Sequence, residues 1–186
     1  CERLLENLQL DDNCNGAATP GIKPLPAQIE VEEMLPPEEQ SEYRAMAARA
    51  NYVSADRVDL QFASKESCRF LSNPGTLAQA ALKRLGRYLV GRPRMVLRFD
   101  KQHMPTHFDC SVDTDWAGCV RTRRSTNGGA LLLGRHLIKT WSTTQAVTAL
   151  SSGEAEYYGI VKGGSVILGM MSIMSDIGIR IRGNVW

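Results

Sequence analysis

Apolar positions along the chain follow one period, switch to another, and switch back. Up to Val90 they recur every three or four residues, the spacing of a helix face; from Met95 to Trp141 they fall in short runs; from Ser151 the helical spacing returns. Leu4, Leu5 and Leu8 predict a short helix over Glu2–Leu10. Asp11–Pro37, with Pro20, Pro24, Pro26, Pro36, Pro37, Gly16 and Gly21, predicts a loop-like tether, because proline removes a backbone donor and fixes φ. A helix is expected from Pro37 through Tyr43, Met46, Ala47 and Ala50, with Glu38 and Glu39 in the first turn, where the helix dipole favours acids. A second is expected over Asp56–Leu71, offering Val58, Phe62 and Phe70 for burial and stopped by Ser72-Asn-Pro-Gly75. A third is expected over Thr76–Val90, with Leu82, Leu85 and Leu89 on one face, Lys83 and Arg87 on another, and Gly91 and Pro93 as its stop.

Strand signals follow. Met95–Phe99 and Phe108–Val112 read as strands, and Gly128–Leu133 with His136–Trp141 as a hairpin turning at Gly134-Arg135. Ala146–Leu150 reads as extended. Ser151–Ile177 reads as a long helix capped by Ser151 or Ser152, with Glu154 in reach of a capping box; Gly163 and Gly164 are expected to kink or break it, and Gly178 to end it. Ile179–Trp186 reads as the start of a strand. The expected fold class is α/β (α+β): a helical module followed by a mixed sheet with a helix on it. The expected divisions are a loop-rich stretch at 1–37, a helical module at 38–94 and a sheet-bearing domain at 95–186.

Composition adds modest constraints. The chain has 186 residues, 43% hydrophobic, and a formal net charge of +2. The charge is unevenly spread. Glu30–Glu42 carries six acids and no base, whereas Lys83–Lys101 carries Lys83, Arg84, Arg87, Arg92, Arg94, Arg98 and Lys101 against Asp100 alone. Such asymmetry can steer a polyanion, and it is also what a solvated charged face looks like. Cys1, Cys14, Cys68, Cys110 and Cys119 form no CxxC pair, so free thiols are expected in place of a disulfide or zinc framework. His103 and His107 have helical i, i+4 spacing, but Pro105 between them argues against a metal pair. No signal peptide is visible, and the apolar run Val166–Met174, broken by Gly169 and Ser172, is too short to span a bilayer, so no membrane partner is expected.

Two acidic clusters bear on chemistry. Asp113-Thr-Asp115 ends a predicted strand, and Glu154-Ala-Glu156 opens a predicted helix. Alternate strand residues point to opposite faces, but one strand carboxylate and one helix carboxylate could share a hard cation such as magnesium, which prefers carboxylate oxygens. Paired magnesium ions activate water and stabilise the leaving oxygen of a phosphodiester. Exposed acids at such positions are also common without any site. Arg123, Arg124, Ser125 and Thr126 could bind phosphates or simply form a charged turn. Trp116 and Trp141 read as core residues.

Three segments, in order, resemble Ty1/copia-type retrotransposon polyproteins. Ser111-Val-Asp-Thr-Asp-Trp-Ala-Gly118 followed by Arg123-Arg-Ser-Thr-Asn-Gly128 resembles the opening of the family's ribonuclease H domain, roughly S-D-A-D-W-A-G then R-R-S-T-S-G. Trp141-Ser142 lies where the family has a Trp-Lys/Ser strand, and Ala149-Leu-Ser-Ser-Gly-Glu-Ala-Glu-Tyr157 resembles A-L-S-S-T-E-A-E-Y. Upstream, Ala18-Thr-Pro20, Tyr43-Arg44, Tyr52, Arg57-Val-Asp-Leu60, Ser72-Asn-Pro74, Ala81-Leu-Lys-Arg84 and Arg87-Tyr-Leu89 are similar to the end of the family's reverse transcriptase. Val58 stands in place of the usual proline, Cys119 at a position often acidic, and Ala47, Ala48 and Arg49 where glycines are usual.

The resemblance implies a reverse-transcriptase thumb/connection-like module followed by a truncated ribonuclease H-like sheet. It implies Asp113 and Glu156 as catalytic metal ligands for Mg2+, with two further acids beyond Trp186. Lys83, Arg84 and Arg87, with Arg123, Arg124 and Ser125, would contact an RNA–DNA hybrid or primer-template. The remaining reverse transcriptase and ribonuclease H segments of the parent polyprotein would be partners, in an intracellular setting, a cytoplasmic particle or the nucleus. The expected reaction is hydrolysis of RNA in RNA–DNA hybrids by the intact parent, with this chain a fragment inactive alone. The alternatives are a non-catalytic nucleic-acid-binding fragment and a degenerate retroelement relic with an open sheet edge and exposed apolar surface.

Overall fold

The computed structural model describes residues 2–11 and 14–186. It divides into two compact units, Cys1–Met95 and Val96–Trp186. Cys1 and the 12–13 part of the expected tether lie outside the described residues.

The first unit is helical: α1 (Glu2–Asn7), α2 (Pro26–Glu30), α3 (Pro37–Val53), a 3-10 turn at Val58–Leu60, α4 (Gln61–Cys68) and α5 (Thr76–Gly91). Its core takes Tyr43, Met46, Ala47 and Ala50 from α3, Leu60 from the turn, Ala63 from α4 and Leu82, Leu85 and Leu89 from α5. Leu4 and Leu8 close one side. Gly86 makes this possible, because a Cβ there would lie 2.6 Å from side-chain carbons of Leu8 and Leu10.

Two expectations are corrected here. The helix expected over Asp56–Leu71 is shorter, because the chain turns at Arg57–Asp59 before α4 begins. Its buried face is Ala63, Ser64 and Ser67, while Val58 and Phe70 are half-buried and Phe62 stays exposed, with the Lys65 ammonium 4.7 Å from its ring centre. The stretch read as a tether is also partly folded. Pro26 opens α2, and the Leu25 N–H donates to Gln28 Oε1 at 2.9 Å. Farther on, Leu35 N–H donates to Pro74 O at 3.0 Å and Thr76 N–H to Glu33 O at 2.9 Å, burying Leu35.

The second unit is a four-stranded sheet ordered β3-β2-β1-β4. β1 (His107–Asp115), β2 (Thr126–Leu133) and β3 (His136–Thr144) form an antiparallel meander, turning at Gly134, whose φ of +60° suits glycine. After α6 (Ser152–Asp176) the chain returns as β4 (Arg182–Val185), parallel to β1. Helix α6 is unbroken. Gly163 packs closely on the sheet, because a Cβ there would lie 2.8 Å from Val112, 3.2 Å from Cys110 Sγ and 3.3 Å from Val185. The expected kink is therefore replaced by close packing. By length and composition alone α6 could cross a bilayer, but its Ala155, Gly159, Gly163 and Ile167 stripe is buried.

Met95–Phe99 is not a strand. Val96 is 80% exposed, and side chains from the region just beyond it make the local ties. Gln102 Nε2 donates to Leu133 O at 2.9 Å while its Oε1 accepts the Arg135 N–H at 3.0 Å, and His136 Nε2 lies 2.7 Å from Asp100 O. Ala146–Leu150 is likewise irregular.

Candidate functional site

Helix α6 fixes which residues of β1 meet it. Gly159 sits on Thr114 and Gly163 on Val112 and Cys110, so this alternate set of β1 side chains faces the helix. Asp109, Ser111, Asp113 and Asp115 belong to the other set. Asp113 is exposed, and its Oδ1 accepts the Thr114 N–H at 2.9 Å. The first turns of α6 nevertheless lie at the end of β1 that carries Asp113, since Gly159 meets Thr114 while Ile167 meets Gly183 at the start of β4.

The two glutamates of α6 have different surroundings. Glu154 is occupied at the helix start: its Oε2 accepts the Leu150 N–H at 2.7 Å and its Oε1 the Tyr158 hydroxyl at 3.2 Å. Ser151 Oγ accepts the Glu154 N–H at 3.1 Å. The reciprocal cap expected of Ser151 and Glu154 thus forms with Glu154 reaching one residue farther back. The Tyr158 hydroxyl is held above its usual pKa by the hydrogen bond to Glu154. Glu156 is half-buried and makes no hydrogen bond or ion pair among the described residues. Of the two, Glu156 is the carboxylate left available.

A buried polar strap ties these parts together. Ala117 N–H donates to Ser125 Oγ at 3.1 Å, and Gln145 N–H donates to Ser125 O at 2.9 Å. Gln145 Nε2 donates to Asn127 Oδ1 at 2.6 Å and to Ala155 O at 2.9 Å. Ser125 is fully buried, so the expectation of phosphate contact by its hydroxyl is corrected: that hydroxyl holds the β1–β2 loop. The same loop leaves Arg123 and Arg124 exposed, with Arg123 at φ +55°. Trp116 is 45% exposed, not a core residue, and its indole N–H donates to Ala149 O at 3.1 Å; Trp141 is buried across from Gly129.

In the first unit, basic residues mostly hold the fold. Arg84 donates to Thr19 Oγ1 at 2.9 Å and Arg87 Nε to Asn15 O at 2.7 Å, so both pin the segment after α1, whereas Lys83 is exposed. Arg57 pairs with Asp59 through Nε at 3.0 Å and Nη2 at 2.8 Å, and donates to Arg92 O at 2.9 Å and Pro93 O at 3.2 Å, closing the end of α5. Tyr88 OH donates to Asp59 Oδ2 at 2.9 Å. The Arg57 hydrogen bonds hold the Asp59 carboxyl below its ordinary value. Arg44 likewise donates to Leu71 O at 2.7 Å, and Tyr43 OH to Ser67 O at 2.8 Å; burial pushes that phenol upward.

Magnesium in a paired site needs several carboxylates converging on one point. Among the described residues no group of three His, Cys, Asp or Glu side chains is so placed. Asp113 and Glu156 lie toward one end of the sheet, two carboxylates that would need further acids to complete a paired site.

The chain is similar to known proteins. It is 33% identical over 141 residues to the "Retrovirus-related Pol polyprotein from transposon RE1" of Arabidopsis thaliana, and 32% identical over 141 residues to that from transposon RE2 of the same plant. Each alignment covers 76% of this chain and 10% of the relative, so the chain spans about a tenth of those polyproteins. It is 31% identical over 156 residues to an uncharacterized mitochondrial protein of Arabidopsis thaliana, covering 84% of this chain and 63% of that one. No family profile and no solved structure matches.

Proposed function

The chain belongs to the Ty1/copia-type retrotransposon Pol polyproteins, and from that premise we propose that it contributes the first part of a ribonuclease H-type domain, preceded by the end of a reverse transcriptase. In the intact parent, the domain would hydrolyse RNA in RNA–DNA hybrids with magnesium, and Asp113 and Glu156 would be two of its ligands. The observation that supports this most is the order of elements. Asp113 lies near the end of the first strand, Glu156 near the start of the helix after three strands, and a parallel fourth strand returns beside the first. That is the layout the family resemblance implies. Glu154 serves the helix cap, which favours Glu156 as the ligand.

The test is cleavage of a labelled RNA–DNA hybrid by a longer Pol chain carrying this segment, with Asp113→Asn and Glu156→Gln variants and the 186-residue chain for comparison. Magnesium-dependent cleavage by the longer chain, lost in both variants, is expected. Cleavage that survives Asp113→Asn would refute the assignment.

A second reading is nucleic-acid binding without cleavage. It is favoured by Arg123 and Arg124, whose side chains are exposed and make no hydrogen bond or ion pair among the described residues. Each guanidinium that neutralises a phosphate contributes about 0.9 to the slope of log affinity against log salt on a duplex. If both act, the double variant Arg123→Ala/Arg124→Ala lowers the slope for hybrid binding by about 2. An unchanged slope would remove these arginines from the contact.

A further inference from the structure

Gln145 is a buried side chain that joins the sheet to the first turn of α6 by hydrogen bonds to both. It is 4% exposed. Its Nε2 donates to Asn127 Oδ1 on β2 and to Ala155 O on α6, while its backbone N–H donates to Ser125 O. The amide orientation follows from the partners. Ala155 O can only accept, so the nitrogen of the Gln145 amide must face it. Asn127 is the register partner of Thr114, the β1 residue on which Gly159 sits. The bonds of Gln145 therefore converge where α6 touches the end of β1, next to the residue that precedes Glu156.

Two further observations mark this spot. Gln145 Oε1 and Thr114 Oγ1 are buried without a partner. Unsatisfied buried polar atoms carry a desolvation cost, so a glutamine here is not explained by packing alone. An apolar side chain of similar volume would fill the same space at lower cost. What it could not supply is the pair of donated bonds that hold Ala155 O and Asn127 Oδ1 at a fixed separation.

We propose that Gln145 is a positioning residue: its amide latches the first turn of α6 to β2 and so sets where Glu156 stands relative to the end of β1. The role for Glu156 rests on the ribonuclease H-type reading; the latch itself does not. The latch belongs to the helix start alone, since the rest of α6 is held by Gly163 and Ile167 against Val112, Cys110 and Gly183. Loss of Gln145's bonds is expected to loosen residues 154–158 and leave residues 163–170 in place.

The test is amide hydrogen exchange, read residue by residue on the full 186-residue chain, for wild type, Gln145→Met and Gln145→Glu. Methionine keeps the volume and removes the donors; glutamate keeps the shape and sets a carboxylate against two acceptors. Protection at 154–158 is expected to fall about tenfold or more in Gln145→Met and further in Gln145→Glu, with β3 and residues 163–170 unchanged. Unchanged protection at 154–158 in Gln145→Met overturns the latch, and so does an equal loss across the whole sheet. Should Gln145→Glu not fold, the methionine variant decides.

The catalytic consequence is read in the longer Pol chain. There, Gln145→Met is expected to lower kcat for hybrid cleavage about tenfold with KM unchanged. An unchanged kcat, in an enzyme that Asp113→Asn inactivates, overturns the positioning role for Glu156. Full activity in Asp113→Asn refutes the site reading instead, and the exchange measurement still decides the latch.

Discussion

Arg57, Asp59 and Tyr88 show what single residues do in the helical unit. Arg57 is nearly buried and donates to a carboxylate and to two carbonyls at the end of α5. Arg57→Ala removes every one of those donors and leaves the carbonyls and Asp59 short of partners. Charge-assisted hydrogen bonds of this kind contribute about 1.5–3 kcal/mol, so urea unfolding of Arg57→Ala is expected to show a loss of about that size. The same pair gives an acid limb. Arg57 lowers the folded pKa of Asp59, so its contribution is fully present above the unfolded value of about 3.9 and is lost as pH falls through the lower folded value. Stability measured below about pH 4 is expected to fall less steeply in Asp59→Asn than in wild type. An equal slope in the two would detach the limb from this carboxylate. Nothing in local spacing announces these roles. Arg57 reaches Arg92 and Pro93 far along the chain, and Arg44 reaches Leu71, so their partners become visible only once the helices have packed. The resemblance picked out Tyr43, Arg44, Arg57 and Tyr88 without a reason; the hydrogen bonds supply one.

At the scale of elements, α6 separates what sequence can say from what it cannot. Its start was legible, because a serine followed three residues later by glutamate is a local signal. Ser151 does accept the Glu154 N–H, and Ser151→Ala is expected to cost about 1 kcal/mol in thermal or urea unfolding. Its middle was not legible. Gly163 and Gly164 look alike in sequence and both read as weak points. In the fold they are opposites: a Cβ on Gly163 would press on Val112, Cys110 and Val185, whereas one on Gly164 meets nothing within 4 Å. Gly163→Val is therefore expected to destabilise by about 1–3 kcal/mol through overpacking. Gly164→Ala should stabilise by up to about 1 kcal/mol, because alanine is the better helix former where nothing crowds it. Measured side by side, the two substitutions should move the melting temperature in opposite directions. A destabilised Gly164→Ala would mean that this side of the helix is covered. The Met95–Phe99 stretch failed for a related reason. Its apolar residues suit a strand, but it joins no ladder of the four-stranded sheet, and the chain just beyond it is tied by Gln102 and His136 instead.

For the molecule as a whole, the change of hydrophobic period gave the fold class, since helical spacing needs helix neighbours and short runs with turn residues need a sheet. The candidate site was legible only as a list of acids. That Thr114, not Asp113, faces α6 depends on the pleat phase of β1, and that Glu154 serves the cap depends on its rotamer. Neither is written in the spacing of the acids. Each unit draws its core from its own residues: the helical cluster around Tyr43, Leu60 and Leu85, and the sheet cluster around Phe108, Cys110, Leu131 and Ile167. The sheet unit leaves one edge of β3 and one of β4 unpaired among the described residues, and such edges invite association. Its closure is therefore best tested on residues 96–186 produced alone. Cooperative thermal unfolding is expected, because Phe108, Cys110 and Leu131 are already fully buried between the sheet and α6. Phe108→Ala should then cost about 3–5 kcal/mol, enough to remove the transition from a domain of this size. If residues 96–186 show no cooperative transition even before that substitution, the four strands and α6 do not make a self-sufficient core, and further strands of the parent polyprotein would be needed to complete it.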